Sequence, residues 1–255
     1  MPIDPWKHVQ SDANPLTNPY LKSFDDCFLL KDISCVDASG NVFERYDTLA
    51  IQKDIFRNAQ CQIDLTSYNG AVHCEQQGLF LPSFALTCNI VAALCQNRNN
   101  VKAKKILDMY KDKGTGEGIY FQNTLINYAT EDVIHCPLAA DFDQTTAVNT
   151  ARQRKQAHFK KAALQSSLLE HALTDTAHTR YVKQLTGLAD PALLVEIGKY
   201  FGSPARLWFP WNEQESATCT HSYAAWFSCG SDGLNIYGSG NLSDSDAARG
   251  VRKIV

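Results

Sequence analysis

The chain of 255 residues lacks any apolar run long enough to span a bilayer, so no membrane-crossing helix is expected. It lacks a Cys-x-x-Cys pair, which removes the zinc-ribbon and thioredoxin-like signatures. Charge of one sign is not in excess: 24 Lys and Arg stand against 27 Asp and Glu, a net of −3. Nothing in that balance points to nucleic acid or an anionic surface. No internal repeat and no low-complexity tract is present. The opening residues, Met1 to Trp6, show neither the basic nor the apolar region of an export signal, and the expectation from that is a cytoplasmic protein. What remains is a hydrophobic fraction of 44% with 20% charged residues, enough to build a globular core.

Nine cysteines are present, an odd count with irregular spacing, which argues against a disulfide framework. Several lie inside apolar runs, such as Cys88 and Cys95, and read as small buried hydrophobes. A reactive thiol is the sharper reading, with Cys74, Cys136, Cys219 and Cys229 as candidates. That alternative is a cysteine-dependent enzyme of oxidoreductase or hydrolase type.

Along the chain, residues 1–26 read as an irregular leader. Cys27–Leu30 and Ile33–Val36 are strand material, closed by the turn cluster Asp37–Asn41. From Tyr46 to Cys61 the apolar positions recur at helical spacing and predict a helix. A short helix over Ala71–Gln77 stops at Gly78. Ser83 then caps a strongly apolar helix through Leu86, Ile90, Val91 and Leu94. Val101–Tyr110 reads as a basic helix, Ile119–Tyr128 and Val133–Cys136 as strands. Residues 141–187 read as a helical insertion, one long polar helix and a shorter one. Pro191 opens a last helix with Leu193, Leu194, Ile197 and Phe201 inward, ended by Gly202. Residues 206–255 read as a β-rich lobe. The expected fold is a single α+β domain over 1–255, its small antiparallel sheet following a helix-rich part.

Motifs with a chemical meaning are incomplete. Gly114–Gly118 precedes a strand instead of following one, so it does not cradle a phosphate. His73-Cys74-Glu75 supplies half of a zinc-deaminase signature and lacks the cysteine pair that would hold the metal. His135-Cys136 places two functional side chains on opposite faces of a strand. Arg152, Arg154, Lys155, Lys160 and Lys161 form a basic segment without the aromatic interleaving that single-stranded nucleic acid needs. No metal and no cofactor is implied. Three of the four Trp residues fall near the C-terminus, with Tyr223 and Tyr237. Trp208, Trp211, Tyr223, Trp226 and Tyr237 are therefore the candidate binding residues, because large aromatics dominate recognition surfaces.

Two segments carry a resemblance. His73 to Ser83, with its helix followed by Gly78-Leu79-Phe80-Leu81-Pro82, is similar to a step of the C-type-lectin-like superfamily, which includes the formylglycine-generating enzymes. Ala225-Trp226 through Gly233, with Arg249-Gly250-Val251-Arg252, resembles the finish of that group. The match covers about a third of the chain. Phe80 stands where the family has Arg, and the usual acid after the Leu-Pro step is missing. The resemblance implies a hairpin followed by a last strand that pairs with the N-terminal one. Cys219 and Cys229 lie too far apart for the family's copper-binding pair, and the His-rich helix of the iron-dependent branch is missing. Asn212, Glu213 and Glu215 match its calcium ligands only in composition. The implied function is a non-catalytic module that binds a protein or small molecule through C-terminal aromatic loops.

Overall fold

The computed structural model describes residues 27–52, 65–108, 110–111, 119–135, 159–160, 164–202, 204–209, 222–230, 233–240, 245–246 and 250–253. It is mixed helix and sheet, as an α+β chain should be. The expected leader over 1–26, the basic residues 152–155 and the loop Gly114–Gly118 lie outside the described residues.

The strands are β1 (Cys27–Val36), β2 (Val42–Gln52), β3 (Leu65–Thr66), β4 (Ile119–Asn127), β5 (Asp132–His135), β6 (Ser167–Leu168), β7 (Arg206–Trp208), β8 (Ser222–Gly230), β9 (Gly233–Gly240), β10 (Ser245–Asp246) and β11 (Val251–Lys253). The helices are α1 (Ser67–Gln76), α2 (Phe84–Gln96), α3 (Val101–Asp108), α4 (Leu169–Ala172), α5 (Thr176–Thr186) and α6 (Leu193–Phe201).

Helix α2 is apolar almost all round, and eleven of its residues are buried. A helix of that kind has to be enclosed on every side. It starts where Pro82 leaves an extended segment and the Ser83 hydroxyl accepts the Leu86 N–H at 3.0 Å. The same hydroxyl donates to Glu44 Oε2 at 3.1 Å, which ties the cap to β2. Around α2 stand β1, β4, β8, α3, α5 and α6.

On one side lies a three-stranded sheet in the order β1-β2-β11. The β1–β2 turn is organised by Asp37, whose Oδ1 accepts the Ser39 and Asn41 N–H groups at 2.8 and 2.9 Å. Strand β11 runs antiparallel to β2, Val251 opposite Ile51, so the last strand takes the free edge of β2 and does not pair with the first strand, β1, as expected. Val251 also exchanges two backbone hydrogen bonds with Phe80, at 2.8 and 3.0 Å. The two segments that carry the family resemblance therefore meet at one bridge.

On the other side lies a six-stranded sheet in the order β5-β4-β8-β9-β7-β6. It corrects the small antiparallel sheet expected above: the larger sheet is mixed, with β7 parallel to β9. Strands from 206–255 do not form a sheet of their own, since β8 pairs with β4 and β11 with β2. Tyr46–Gln52 is strand where the spacing predicted helix, the rest of that stretch lying outside the described residues. The physical reason is pairing: Leu49, Ala50 and Ile51 gain hydrogen bonds to β1 and β11 at once. Of the long and the shorter helix expected over 141–187, the described part from 164 on holds the short helices α4 and α5. Asp175 separates the two, its Oδ1 capping α5 through the His178 N–H at 2.9 Å. Leu164, Leu169, Tyr181, Val182 and Leu185 from this stretch are all in the core.

Helix α5 ends at Gly187, at φ +61°, and its carbonyl accepts the Val36 N–H at 2.9 Å and Asn89 Nδ2 at 3.1 Å. A Cβ placed there would meet Ala85 Cβ at 2.7 Å and Cys35 Cβ at 2.9 Å. Gly202, ending α6 at φ +92°, faces open space instead. The pair separates backbone strain from packing. Gly202→Ala is expected to cost about 1 kcal/mol, and Gly187→Ala about 2–4 kcal/mol because overpacking adds to the strain. Chemical denaturation of both variants checks this; equal losses would show that the α2–α5–β1 junction is loose.

Candidate functional site

Alternation in β7, β8 and β9 decides which side chains leave the core. Leu207, Phe227, Cys229, Leu234 and Ile236 turn toward the helices and are buried. Phe227 meets Phe84 of α2 edge-on at 6.4 Å. With a side-chain period of two, Trp208, Trp226 and Tyr237 are sent to the opposite face. Register then aligns them: Trp226 stands opposite Tyr237 on β8 and β9, and Tyr237 opposite Trp208 on β9 and β7. The rings stack as a ladder across three strands. Trp226 and Tyr237 are 4.3 Å apart at 26°, Tyr237 and Trp208 6.1 Å apart at 11°.

Trp208 ends the ladder with 37% of its surface exposed. Its indole N–H donates to Asn235 Oδ1 at 2.9 Å, which fixes the ring plane. Asn235 is buried and lies two residues before Tyr237 on the same face. Arg206 is exposed two residues before Trp208, so a cation borders the outermost ring. Ladders of this type are cross-strand pairs worth a few tenths to about 1 kcal/mol each. Strand register and the Asn235 hydrogen bond together set the ring positions.

Of the five aromatic residues expected to bind, three form the ladder. Trp211 lies outside the described residues. Tyr223 turns the other way: it packs against the core and meets Tyr128 edge-on at 5.8 Å. Sequence reading missed Asn235 and Arg206, although their positions two residues before an aromatic carry the signal. Cys74 and Cys229 are buried, and burial pushes both thiols well up, away from the reactive thiolate. Cys136 and Cys219 lie outside the described residues. His73 is a half-buried helix-face residue whose Nε2 accepts the Gln77 amide at 2.8 Å. Among the described residues no group of His, Cys, Asp and Glu could hold a metal ion, and no helix is long and apolar enough to cross a membrane.

Two surface grooves lie away from the ladder. One, of about 340 Å³, is bordered by Glu170, Val195, Lys199 and Gly202 beside the end of α6. The other, of about 450 Å³, runs between α5 and the β1–β2 turn. No protein-family model, curated protein or solved structure matches the chain.

His135 sits where its surroundings displace its chemistry. It is buried beneath the Phe43 ring, which stacks on it at 5.2 Å and 7°. Nε2 lies 2.9 Å from the Gln184 carbonyl, which can only accept, so Nε2 carries the proton. Nδ1 then accepts the Thr124 hydroxyl at 2.9 Å, and that oxygen in turn accepts the Phe84 N–H at 2.9 Å. The chain of donors is complete only for neutral imidazole. Burial lowers its pKa from the ordinary 6.5 to about 4, with the Gln184 hydrogen bond opposing. A lowered pKa gives stability that is whole above about 6.5 and is lost as pH falls through about 4. Between those limits the wild type is expected to lose roughly 3 kcal/mol from this group alone. His135→Gln should flatten that part of the pH–stability curve; an unchanged slope would mean that His135 is not held neutral.

Proposed function

We propose that the protein is a non-catalytic binding module, lectin-like in architecture, that grips a ligand or protein with the aromatic face of its six-stranded sheet. The observation that carries this is the ladder itself. Three large rings from three strands are held in register on the face turned from the helices, and the outermost is exposed with its N–H already satisfied. Packing a core does not call for an exposed indole, because exposure forfeits the burial that makes tryptophan stabilising. Pre-set aromatic rings bind well, since little conformational freedom is left to lose. Arg206 beside Trp208 adds a charge at the rim of the same patch.

The lectin-like reading draws support from the closing topology. The β8–β9 hairpin is followed by a last strand, β11, which pairs with β2 and meets Phe80 of the Leu-Pro step. The competing reading, a cysteine-dependent enzyme, would have to rest on Cys136 or Cys219. Neither Cys74 nor Cys229 supports it, because a thiol buried in apolar surroundings does not ionise near neutrality.

The test is a screen of the wild type against glycan and peptide arrays, followed by affinity measurement on the best binder. Trp208→Ala should keep nearly the wild-type melting temperature while weakening binding by about thirtyfold, as for an exposed aromatic anchor. Equal affinity of the two proteins would remove the ladder from the binding surface.

A further inference from the structure

The groove between α5 and the β1–β2 turn is built from two chemically different halves. Thr176, Thr179, Arg180 and Lys183 recur at three- and four-residue spacing and so form one stripe of α5. The opposite stripe, Tyr181, Val182, Leu185 and Thr186, is buried, so α5 cannot turn these residues elsewhere. Ala38 and Ser39 of the turn form the far bank, with Leu173, Thr174 and Asp175 at one end.

Charge in the groove is unevenly spent. Asp37, in the neighbouring turn, is occupied by the N–H groups of Ser39 and Asn41 and by Asn41 Nδ2 at 3.0 Å. Asp175 Oδ1 takes the His178 N–H at 2.9 Å and its Nδ1 at 2.8 Å. His178 Nε2 is itself held, accepting the Gln165 N–H at 3.0 Å. Among the described residues, Arg180 and Lys183 have no carboxylate partner at all. Two neighbouring cations without a counter-ion are suited to a dianionic oxyanion, which takes several charge-assisted hydrogen bonds at once.

The remaining groups favour more than a bare anion. The Thr174 hydroxyl donates to the His171 carbonyl at 2.8 Å and the Thr179 hydroxyl to the Leu173 carbonyl at 3.0 Å. Each therefore offers only lone pairs to the groove. Asp175 Oδ2 is an acceptor as well. Acceptors match the hydroxyl donors of a polyol and would repel an unsubstituted phosphate. The volume of about 450 Å³ lies in the range of small-molecule sites.

The geometry points to a second binding site, independent of the aromatic ladder, for a small phosphorylated polyol whose phosphate lies on Arg180 and Lys183 and whose hydroxyls donate to Asp175, Thr174 and Thr179. Calorimetric titration with ribose 5-phosphate, ribose and inorganic phosphate, at low salt, tests it. The ester is expected to bind saturably and about tenfold or more tighter than either fragment, and to weaken as salt rises. Arg180→Ala and Lys183→Ala should each weaken the ester about tenfold. Asp175→Asn, which keeps an acceptor in the cap, should tighten inorganic phosphate relative to the ester. Trp208→Ala should leave this binding unchanged, so that failure here is separable from failure of the ladder. No saturable binding, equal affinity for inorganic phosphate, or wild-type affinity in both cation variants with unaltered melting temperatures would overturn the proposal.

Discussion

Enclosing helix α2 is the constraint on which the rest of the structure depends. Phe84 to Cys95 presents apolar surface in nearly every direction, and only a shell of sheets and helices satisfies it. The helix is anchored at both the start and the middle by polar joints. At the start, the Leu86 N–H goes to Ser83 and the Phe84 N–H to Thr124. In the middle, Asn89 Nδ2 reaches the carbonyls of Ala85 and Gly187 at 2.9 and 3.1 Å. Through Gly187 the same joint includes β1, and through Thr124 it includes the buried His135. Polar groups inside the shell are thus matched to one another, and their geometry fixes where α2 sits relative to the sheets.

From that position the aromatic face follows without further assumptions. β8 packs Phe227 and Cys229 against the helices, so Trp226 has to leave on the other side. β9 packs Leu234 and Ile236, so Tyr237 does the same, and β7 packs Leu207, which turns out Arg206 and Trp208. Parallel pairing of β7 with β9 completes the alignment, since it sets Trp208 opposite Tyr237. A surface made in this way takes its geometry from the core beneath it. That coupling joins the three rings into one stack.

Local signals in the sequence were legible and non-local ones were not. Ser83 as a cap, Gly78 and Gly202 as stops, and the strands near 206–209, 223–228 and 234–237 depend on neighbouring residues, and the structure has them there. The turn at Asp37–Asn41 is of the same kind. Tyr46–Gln52 misled because Leu49, Ile51 and Ala50 fit helical and extended periods alike, and partners distant in sequence decide between them. The six-stranded sheet was hidden because β4 and β8 are about a hundred residues apart and β7–β9 pairing is parallel. Tyr223 was misplaced for a related reason: aromatic content marks a region, whereas strand parity assigns the face. The core role of 164–187 was masked by its polar composition, since Leu164, Leu169, Ala172, Tyr181, Val182 and Leu185 face inward from among polar neighbours.

The central claim is that burial against α2 sorts the aromatic residues of β7, β8 and β9 onto the outer face in one stacked row. Nuclear Overhauser contacts measured on protein with selectively labelled Trp, Tyr and Phe rings test this most directly. The account predicts contacts from Trp226 to Tyr237 and from Tyr237 to Trp208, with Phe227 connected instead to Phe84 and Tyr110. Contacts from Trp226 to Phe84, or a Trp208 indole with no proton near Tyr237, would contradict it.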